Sequence, residues 1–181
     1  MKYILFGFLA ILMREVTIGQ CLPASNGICD GTPVLCSANE LNGYSCQLSG
    51  LINWPSCDPV CPSGGKAYNT EWWRFWSFGG NVCVTVSVSN CNLVNKGIQF
   101  GLMEDCCTNY FFCESNCFNS GSRTLCAELR PCTICNFFIN GCEGDVCNVN
   151  ISVTSTPPTL GPSVKIDGNA SPCFGSKNNS Y

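Results

Sequence analysis

The balance of cysteine and histidine constrains this chain more than any other feature of its sequence. The 181 residues include 18 cysteines and no histidine. Such a cysteine content is typical of disulfide-stabilised domains in oxidising compartments, because cytosolic proteins keep their thiols reduced. The absence of histidine excludes a Ser-His-Asp triad, a Cys-His pair and a mixed Cys/His zinc site. We therefore expect an exported protein that is not an enzyme and binds no cofactor.

The first residues have the pattern of an export signal. A positively charged start is followed by an apolar run over residues 3–13, which is too short to span a bilayer as a helix. Small residues just before Gln20 suit cleavage by a signal peptidase at that point. We predict a signal peptide over residues 1–19 and a mature protein that is secreted or held at the cell surface, without membrane insertion. The alternative is an uncleaved anchor, because the charged pair Arg14 and Glu15 lies close to the cut.

Exported cysteines pair under oxidising conditions, so we predict that all 18 form disulfides. The neighbours Cys106 and Cys107 should bond different partners, because a ring between adjacent residues would be strained. Spacing alone leaves the connectivity open. The predicted set is Cys21, Cys29, Cys36, Cys46, Cys57, Cys61, Cys83, Cys91, Cys106, Cys107, Cys113, Cys117, Cys126, Cys132, Cys135, Cys142, Cys147 and Cys173.

Cys132 and Cys135 have the spacing of a redox motif or of half a zinc site, and Cys142 and Cys147 follow nearby. A redox thiolate normally sits at a helix N-terminus, whereas the residues after Cys135 continue as a strand. A zinc site of this type would need a second pair with the same spacing, which Cys142 and Cys147 lack. We therefore predict structural disulfides and no metal, with zinc binding and redox chemistry as the alternatives.

The pattern of apolar residues predicts strands rather than helices. Val82, Val84, Val86 and Val88 alternate with polar residues or cysteine, which indicates a strand with one buried face. Seven strand candidates lie between Gly, Asn and Ser turns, over 72–78, 82–89, 98–104, 109–114, 123–129, 133–140 and 147–154. These features predict an all-β fold, a disulfide-rich antiparallel β-sandwich of jelly-roll or Ig-like type with a loop-rich N-terminal part.

Changes in composition divide the chain into four parts. After the signal, residues 20–65 are rich in turn residues and are expected to form a cysteine-rich loop segment packed on the sandwich. Residues 66–154 hold the strand candidates and form the β-sandwich. Residues 155–181 begin with a run of Pro, Thr and Ser that favours an extended linker, and they continue as a tail too short to bury a core.

Five stretches occur in an order known from one type of module: 28–36 (ICDGTPVLC), 71–75 (EWWRF), 84–92 (VTVSVSNCN), 97–102 (GIQFGL) and 140–153 (NGCEGDVCNVNISV). From Cys21 to Thr154 the chain resembles a module of secreted multidomain Bacteroidota proteins, which is similar to the PPC-like (pre-peptidase C-terminal-like) β-sandwich domains. Residues 168–181 resemble the opening of the PKD/Ig-like module that often follows. The resemblance implies a surface or secretion-associated accessory module, not an enzyme.

The charge balance bears on the class of partner. Nine Lys and Arg residues against 12 Asp and Glu give a formal net charge of -3, so the chain lacks the basic excess of a nucleic-acid-binding protein. Asp58, Glu104, Asp105 and Asp145 do not have the spacing of a calcium loop, and we expect them to be solvated loop charges. The expected partner is an extracellular protein, a glycan or a second copy of the chain.

The aromatic segment 72–76 contains the predicted binding residues. In an extended strand, Trp73 and Phe75 point to one face and suit the core, while Trp72, Arg74 and Trp76 point to the other. A guanidinium between two indoles favours cation–π stacking, and exposed aromatics suit sugar rings or a partner protein. The alternative is that the N-terminal loops cover this face and that Arg74 extends past them to water.

Taken together, these features predict a secreted, non-catalytic, disulfide-stabilised module for binding, adhesion or extracellular assembly. The alternatives are an accessory domain of a secreted hydrolase whose catalytic domain is absent, and a small cysteine-rich effector or toxin. In a eukaryotic host, Asn150, Asn169 and Asn178 would fit the N-glycosylation pattern.

Overall fold

The computed structural model describes residues 25–26, 28–49, 61–62 and 66–156. Its strands are β1 (Ser25–Asn26), β2 (Val34–Leu35), β3 (Tyr44–Gln47), β4 (Glu71–Ser89), β5 (Ile98–Asp105), β6 (Thr108–Phe118), β7 (Gly121–Gly141) and β8 (Asn148–Thr156). Short 3-10 turns cover Cys29–Gly31, Ala38–Leu41 and Cys142–Gly144, and no α-helix occurs in the described ranges. None of the helical segments described has the length and apolar character needed to cross a bilayer.

All eight strands belong to one hydrogen-bonded sheet. The main path through it runs β3-β8-β4-β7-β5-β6, and β1 and β2 pair with β4 at its N-terminal end. The β2–β4 pair is parallel, whereas the other pairs among the described strands are antiparallel. The predicted disulfide-rich, antiparallel all-β class is confirmed.

Four of the predicted strands are halves of two long ones. Candidates 72–78 and 82–89 join into β4, and candidates 123–129 and 133–140 join into β7. Where the halves meet, Ser77 pairs with Thr133, but the next residue, Phe78, pairs with Pro131. Cys132 is therefore an extra residue in β7, which forms a β-bulge. Gly79 lies beside this bulge with a positive φ, and a Cβ atom there would lie 3.2 Å from the Pro131 ring.

This joint folds the sheet onto itself. Ile98 pairs with both Phe118 and Gly141, so these two residues lie two strand spacings apart, or roughly 10 Å. Gly121 follows Phe118 by three residues, so both ends of β7 lie near Ile98. A straight strand of that length would separate its ends by roughly 65 Å. The two halves of β4 and β7 therefore belong to two layers, as a sandwich requires.

A single large core fills the space between the layers. It combines Trp73, Phe75 and Phe137 from the first layer with Val84 and Val86 from the second. The Trp73 and Phe137 ring centroids lie 5.6 Å apart. The prediction that Trp73 and Phe75 are core residues is confirmed.

Five disulfides join described residues: Cys29–Cys106, Cys61–Cys113, Cys83–Cys126, Cys91–Cys147 and Cys117–Cys142. Cys46 and Cys107 are disulfide-bonded as well, so the adjacent Cys106 and Cys107 do bond different partners, as predicted. The predictions for the signal peptide, for Cys21, Cys57 and Cys173, and for the C-terminal tail lie outside the described residues.

The prediction that every cysteine forms a disulfide is wrong at Cys132 and Cys135, which are both unpaired. Cys132 is exposed at the bulge, while Cys135 is buried in the large core. The two thiols are not bonded to each other, and they lie in different environments, one open to solvent and one inside the core. Cys142 and Cys147 bond Cys117 and Cys91 instead, so the four thiols do not form a zinc site either.

Candidate functional site

Trp72 does not lie on an exposed surface. Its side chain is fully buried in a second, smaller cluster that contains Cys29, Cys61, Met103 and Phe138. The Trp72 and Phe138 ring centroids lie 5.2 Å apart. The N-terminal segment covers this cluster, because the disulfides of Cys29 and Cys61 tie it down on this side of the sheet. The prediction that Trp72 binds a ligand is therefore wrong. At this position the alternative prediction, that the N-terminal segment covers the face, is confirmed.

Arg74 is half-buried at the margin of this cover. Its Nη1 atom donates a hydrogen bond to the backbone oxygen of Asp30 at 3.0 Å, and its Nε atom has no partner among the described residues. The predicted stacking of Arg74 between two indoles is not formed. The cation–π contact in the described part of the chain is made by Arg123, whose guanidinium lies 5.2 Å from the Phe118 ring centre.

Trp76 is the predicted binding residue that the structure leaves most available. Its indole is half-buried and lines two neighbouring cavities, one polar and one largely apolar. N-terminal residues also line these cavities, Asp30 in the polar one and Ala38 in the apolar one. Trp76 is therefore an amphipathic aromatic side chain that is only partly covered, as is common at binding sites.

The polar cavity has a volume of about 390 Å³ and is lined by Trp76, Arg74, Asp30 and Glu104, among others. Arg74 and the indole N–H are hydrogen-bond donors, whereas the three acidic side chains in the lining are acceptors. Glu104 forms an ion pair with Arg130, which partly neutralises its charge. The cavity thus offers donors, acceptors and an aromatic ring, with acidic side chains in excess over basic ones.

The second cavity has a volume of about 360 Å³ and lies where the sheet folds. Phe75, Val82 and Leu129 line it with side chains of the large core. Phe78 also lines it and is 48% exposed. This cavity offers apolar contacts next to Trp76.

The two unpaired thiols differ in chemical character. Burial raises the pKa of the Cys135 thiol to about 11, so this thiol is protonated at neutral pH and is a weak nucleophile. Cys132 lines the polar cavity and is exposed there. A thiol pair that acts in redox catalysis would need both sulfurs on one accessible surface, which this geometry does not provide.

Two groups of cysteine and aspartate have ligand atoms close enough for a metal ion. They are Cys29 with Asp30 and Cys106, and Cys91 with Asp145 and Cys147. In each group the two cysteines are bonded to each other, so their sulfurs are not available as thiolate ligands. These groups therefore leave one carboxylate each, which is too few ligands for a protein metal site.

Asp145 is buried, so its prediction as a solvated loop charge is wrong. Its Oδ1 atom accepts hydrogen bonds from the backbone of Asn92 and Leu93, both at 2.9 Å, and its Oδ2 atom accepts one from Gly97 at 2.7 Å. The carboxylate thereby closes the loop between β4 and β5. The sequence contains little that would predict the burial of Asp145, because Gly144 before it suggests an ordinary turn.

A buried polar network, which sequence patterns did not indicate, fixes the start of β4. Asn69 donates to the backbone oxygens of Ser49 and Asp145, at 2.7 and 2.9 Å. The Glu71 carboxylate accepts a hydrogen bond from the Ser49 backbone at 3.1 Å, and burial raises its pKa. The packing is close, because a Cβ atom on Gly141 would lie 2.0 Å from the Asp145 oxygen. This network is structural and lies away from the two cavities.

Asn150 is exposed on β8, whereas Asn169 and Asn178 lie outside the described residues.

No protein-family model matches the chain, and no curated protein matches it. The resemblance to the PPC-like and PKD/Ig-like modules therefore stays a prediction.

Proposed function

We propose that this protein is a secreted, non-catalytic binding module whose ligand contacts lie around Trp76. The observation that carries the proposal is the position of that indole, which lines both the polar and the apolar cavity. Disulfides throughout the described fold fit an extracellular protein, because such bonds persist in oxidising compartments.

The polar cavity supports a glycan as the ligand. A sugar ring has an apolar C–H face that can pack on an indole, and its hydroxyl groups both donate and accept hydrogen bonds. Trp76 would supply the aromatic surface, Arg74 the donors, and Asp30 the acceptors. The volume of about 390 Å³ lies within the range of small-molecule sites.

Binding to a glycan array tests this proposal. We expect the wild-type protein to bind at least one class of glycan, and Trp76→Ala to weaken that binding at least about tenfold, or 1.4 kcal/mol. Val94→Ala is the control, because Val94 is 83% exposed and lines neither cavity. Thermal unfolding must show that both variants are folded. The proposal fails if the wild-type protein binds no glycan, or if Trp76→Ala binds as tightly as the wild type.

The apolar cavity favours a second candidate function, adhesion to a partner protein. The exposed Phe78 ring and the core side chains behind it would accept an apolar side chain from the partner. Two variants separate the candidates. Arg74→Met should weaken glycan binding alone, whereas Phe78→Ser should weaken adhesion to a protein surface alone.

A further inference from the structure

The outward face of the second layer consists of small, uncharged side chains, apart from Glu128 at its end beside the bulge. Register pairing places them in rows across β3, β8, β4 and β7. We name this surface the hydroxyl face. Its residues are Ser45, Asn148, Asn150, Ser152, Thr154, Cys83, Thr85, Ser87, Ser122, Thr124 and Cys126.

An uncharged surface of this extent is uncommon, since exposed sheet faces usually include Lys, Glu or Arg. Part of its hydrogen-bonding capacity is already used internally. Thr85 bonds Thr124, and Ser87 bonds Ser122, each with 2.7 Å between the hydroxyl oxygens. The face therefore offers little to attract a charged partner.

Asn150 lies within this face and is exposed. Its neighbours across the sheet are Ser45 and Ser87, and its neighbour along the strand is Ser152, the third residue of the Asn-Ile-Ser motif. Residues two apart on a strand point to the same side, so Asn150 and Ser152 face outward together. No long or charged side chain borders Asn150 in these positions, which leaves room for a bulky group.

We propose that Asn150 is an N-glycosylation site and that its glycan covers the hydroxyl face. The co-reactant is an oligosaccharide linked to a lipid diphosphate, as in the secretory pathway of eukaryotic cells. The Asn150 amide nitrogen forms a bond to the anomeric carbon of the sugar and loses one proton. The bond between that carbon and the diphosphate breaks, and the lipid diphosphate leaves.

The position of the glycan is compatible with the proposed binding site. Arg74 and Trp76 point away from the large core in the first layer, whereas the hydroxyl face points away from it in the second. The two surfaces thus lie on opposite sides of the sandwich. The modification requires passage of the chain through a eukaryotic secretory pathway.

Peptide mapping of the full chain secreted from eukaryotic cells tests the inference. We expect most molecules to contain a glycan at Asn150 that peptide-N-glycosidase removes with conversion of the asparagine to aspartate. An unmodified Asn150 in the secreted, disulfide-bonded protein would overturn the inference, even if Asn169 or Asn178 were modified.

Variants on the same strand provide the controls. Asn150→Gln and Ser152→Ala should each lower the intact mass by one glycan, whereas Ser152→Thr and Asn148→Gln should retain it, because they leave the motif functional. If Asn150→Gln fails to be secreted, the map of the wild-type protein and the pair of Ser152 variants still decide the outcome. Loss of the glycan in Asn148→Gln together with its retention in Ser152→Ala would refute the assignment.

Discussion

The two halves of β4 differ in how many of their faces are buried. In residues 71–78 both faces are largely covered, with Trp73 and Phe75 in the large core and Trp72 in the smaller cluster. In residues 81–89 the valines face the same large core, but the opposite face is open and consists of Cys83, Thr85 and Ser87.

The difference shows what a disulfide-tied segment adds to a small sheet. A strand that is apolar on both faces needs a cover on each side. The second cover here comes from the N-terminal segment, which disulfides hold in place instead of a packed third layer. Where no such cover lies on the sheet, the sequence alternates and the outward side chains are small and polar.

Truncation of the covered tryptophan should have the largest effect on stability. Trp72→Ala removes a fully buried indole, and we expect the free energy of unfolding to fall by about 3–5 kcal/mol. Trp76→Ala should cost about 1 kcal/mol, because its indole is only partly buried. Urea unfolding of both variants measures the difference. Equal losses would contradict the burial of Trp72 beneath the N-terminal segment.

Removal of one disulfide from each half should affect different parts of the molecule. Loss of a native disulfide typically costs about 2–5 kcal/mol. Cys29→Ala/Cys106→Ala should reach the upper part of that range and shift tryptophan fluorescence toward that of exposed indoles, because the cover is released. Cys83→Ala/Cys126→Ala should cost less and leave the fluorescence unchanged, since its Cα atoms, 4.0 Å apart, lie on strands already joined by backbone hydrogen bonds.

The buried carboxylate at the start of the covered half should make stability depend on pH. Burial raises the pKa of Glu71 in the folded protein, so the folded state binds its proton more tightly than the unfolded state does. Its contribution is therefore fully present below the unfolded pKa and is lost as pH rises through the folded pKa. Glu71→Gln should remove this dependence, whereas Glu128→Gln, at an exposed position opposite Asn81, should not. Unfolding measured from pH 4 to 8 would contradict this prediction if both variants kept the wild-type profile.

Glycine at the bulge between the halves should be tolerated or stabilising. Cys132 has a φ of 58°, which costs an L-residue about 1–2 kcal/mol, and glycine avoids that cost. Part of the gain is offset because glycine loses more backbone entropy on folding. We expect Cys132→Gly to raise the free energy of unfolding by up to about 1 kcal/mol. If Cys132→Gly instead lowers the free energy of unfolding by more than about 1 kcal/mol, the Cys132 thiol makes a stabilising contact.

The hydroxyl pairs of the open face should contribute least. Thr85→Val/Thr124→Val removes both partners of one hydrogen bond and should change stability by about 0.5 kcal/mol or less. Thr70→Val is the contrast, because its buried hydroxyl donates to Asn140 at 2.9 Å, and its loss should cost about 1–3 kcal/mol. Equal effects would show that the open face is also buried in solution.

Local patterns in the sequence were sufficient for most strand residues of β4 to β8 and for the inner face of β4, but not for the short strands β1 to β3 or for the joining of the halves of β4 and β7. The alternation of Val82 to Val88 and the pairing of Trp73 with Phe75 depend on the two-residue repeat of an extended chain, so the nearest neighbours determine them. The cysteine content likewise indicated a disulfide-stabilised fold, because the redox compartment acts on every thiol alike.

Tertiary structure decided what lies on the other side of those strands. Whether Trp72 is a ligand contact or a core residue depends on the N-terminal segment. Cys29, more than 40 positions earlier, ties that segment to the turn before β6, and Cys61 ties it to β6 itself. The absence of a disulfide at Cys132 and Cys135 likewise depends on how the sheet folds at the bulge. The hydrogen bonds of Asp145 depend on the packing of a loop that is distant in the sequence. A single strand specifies which side chains share a face, but only the complete fold determines what covers that face.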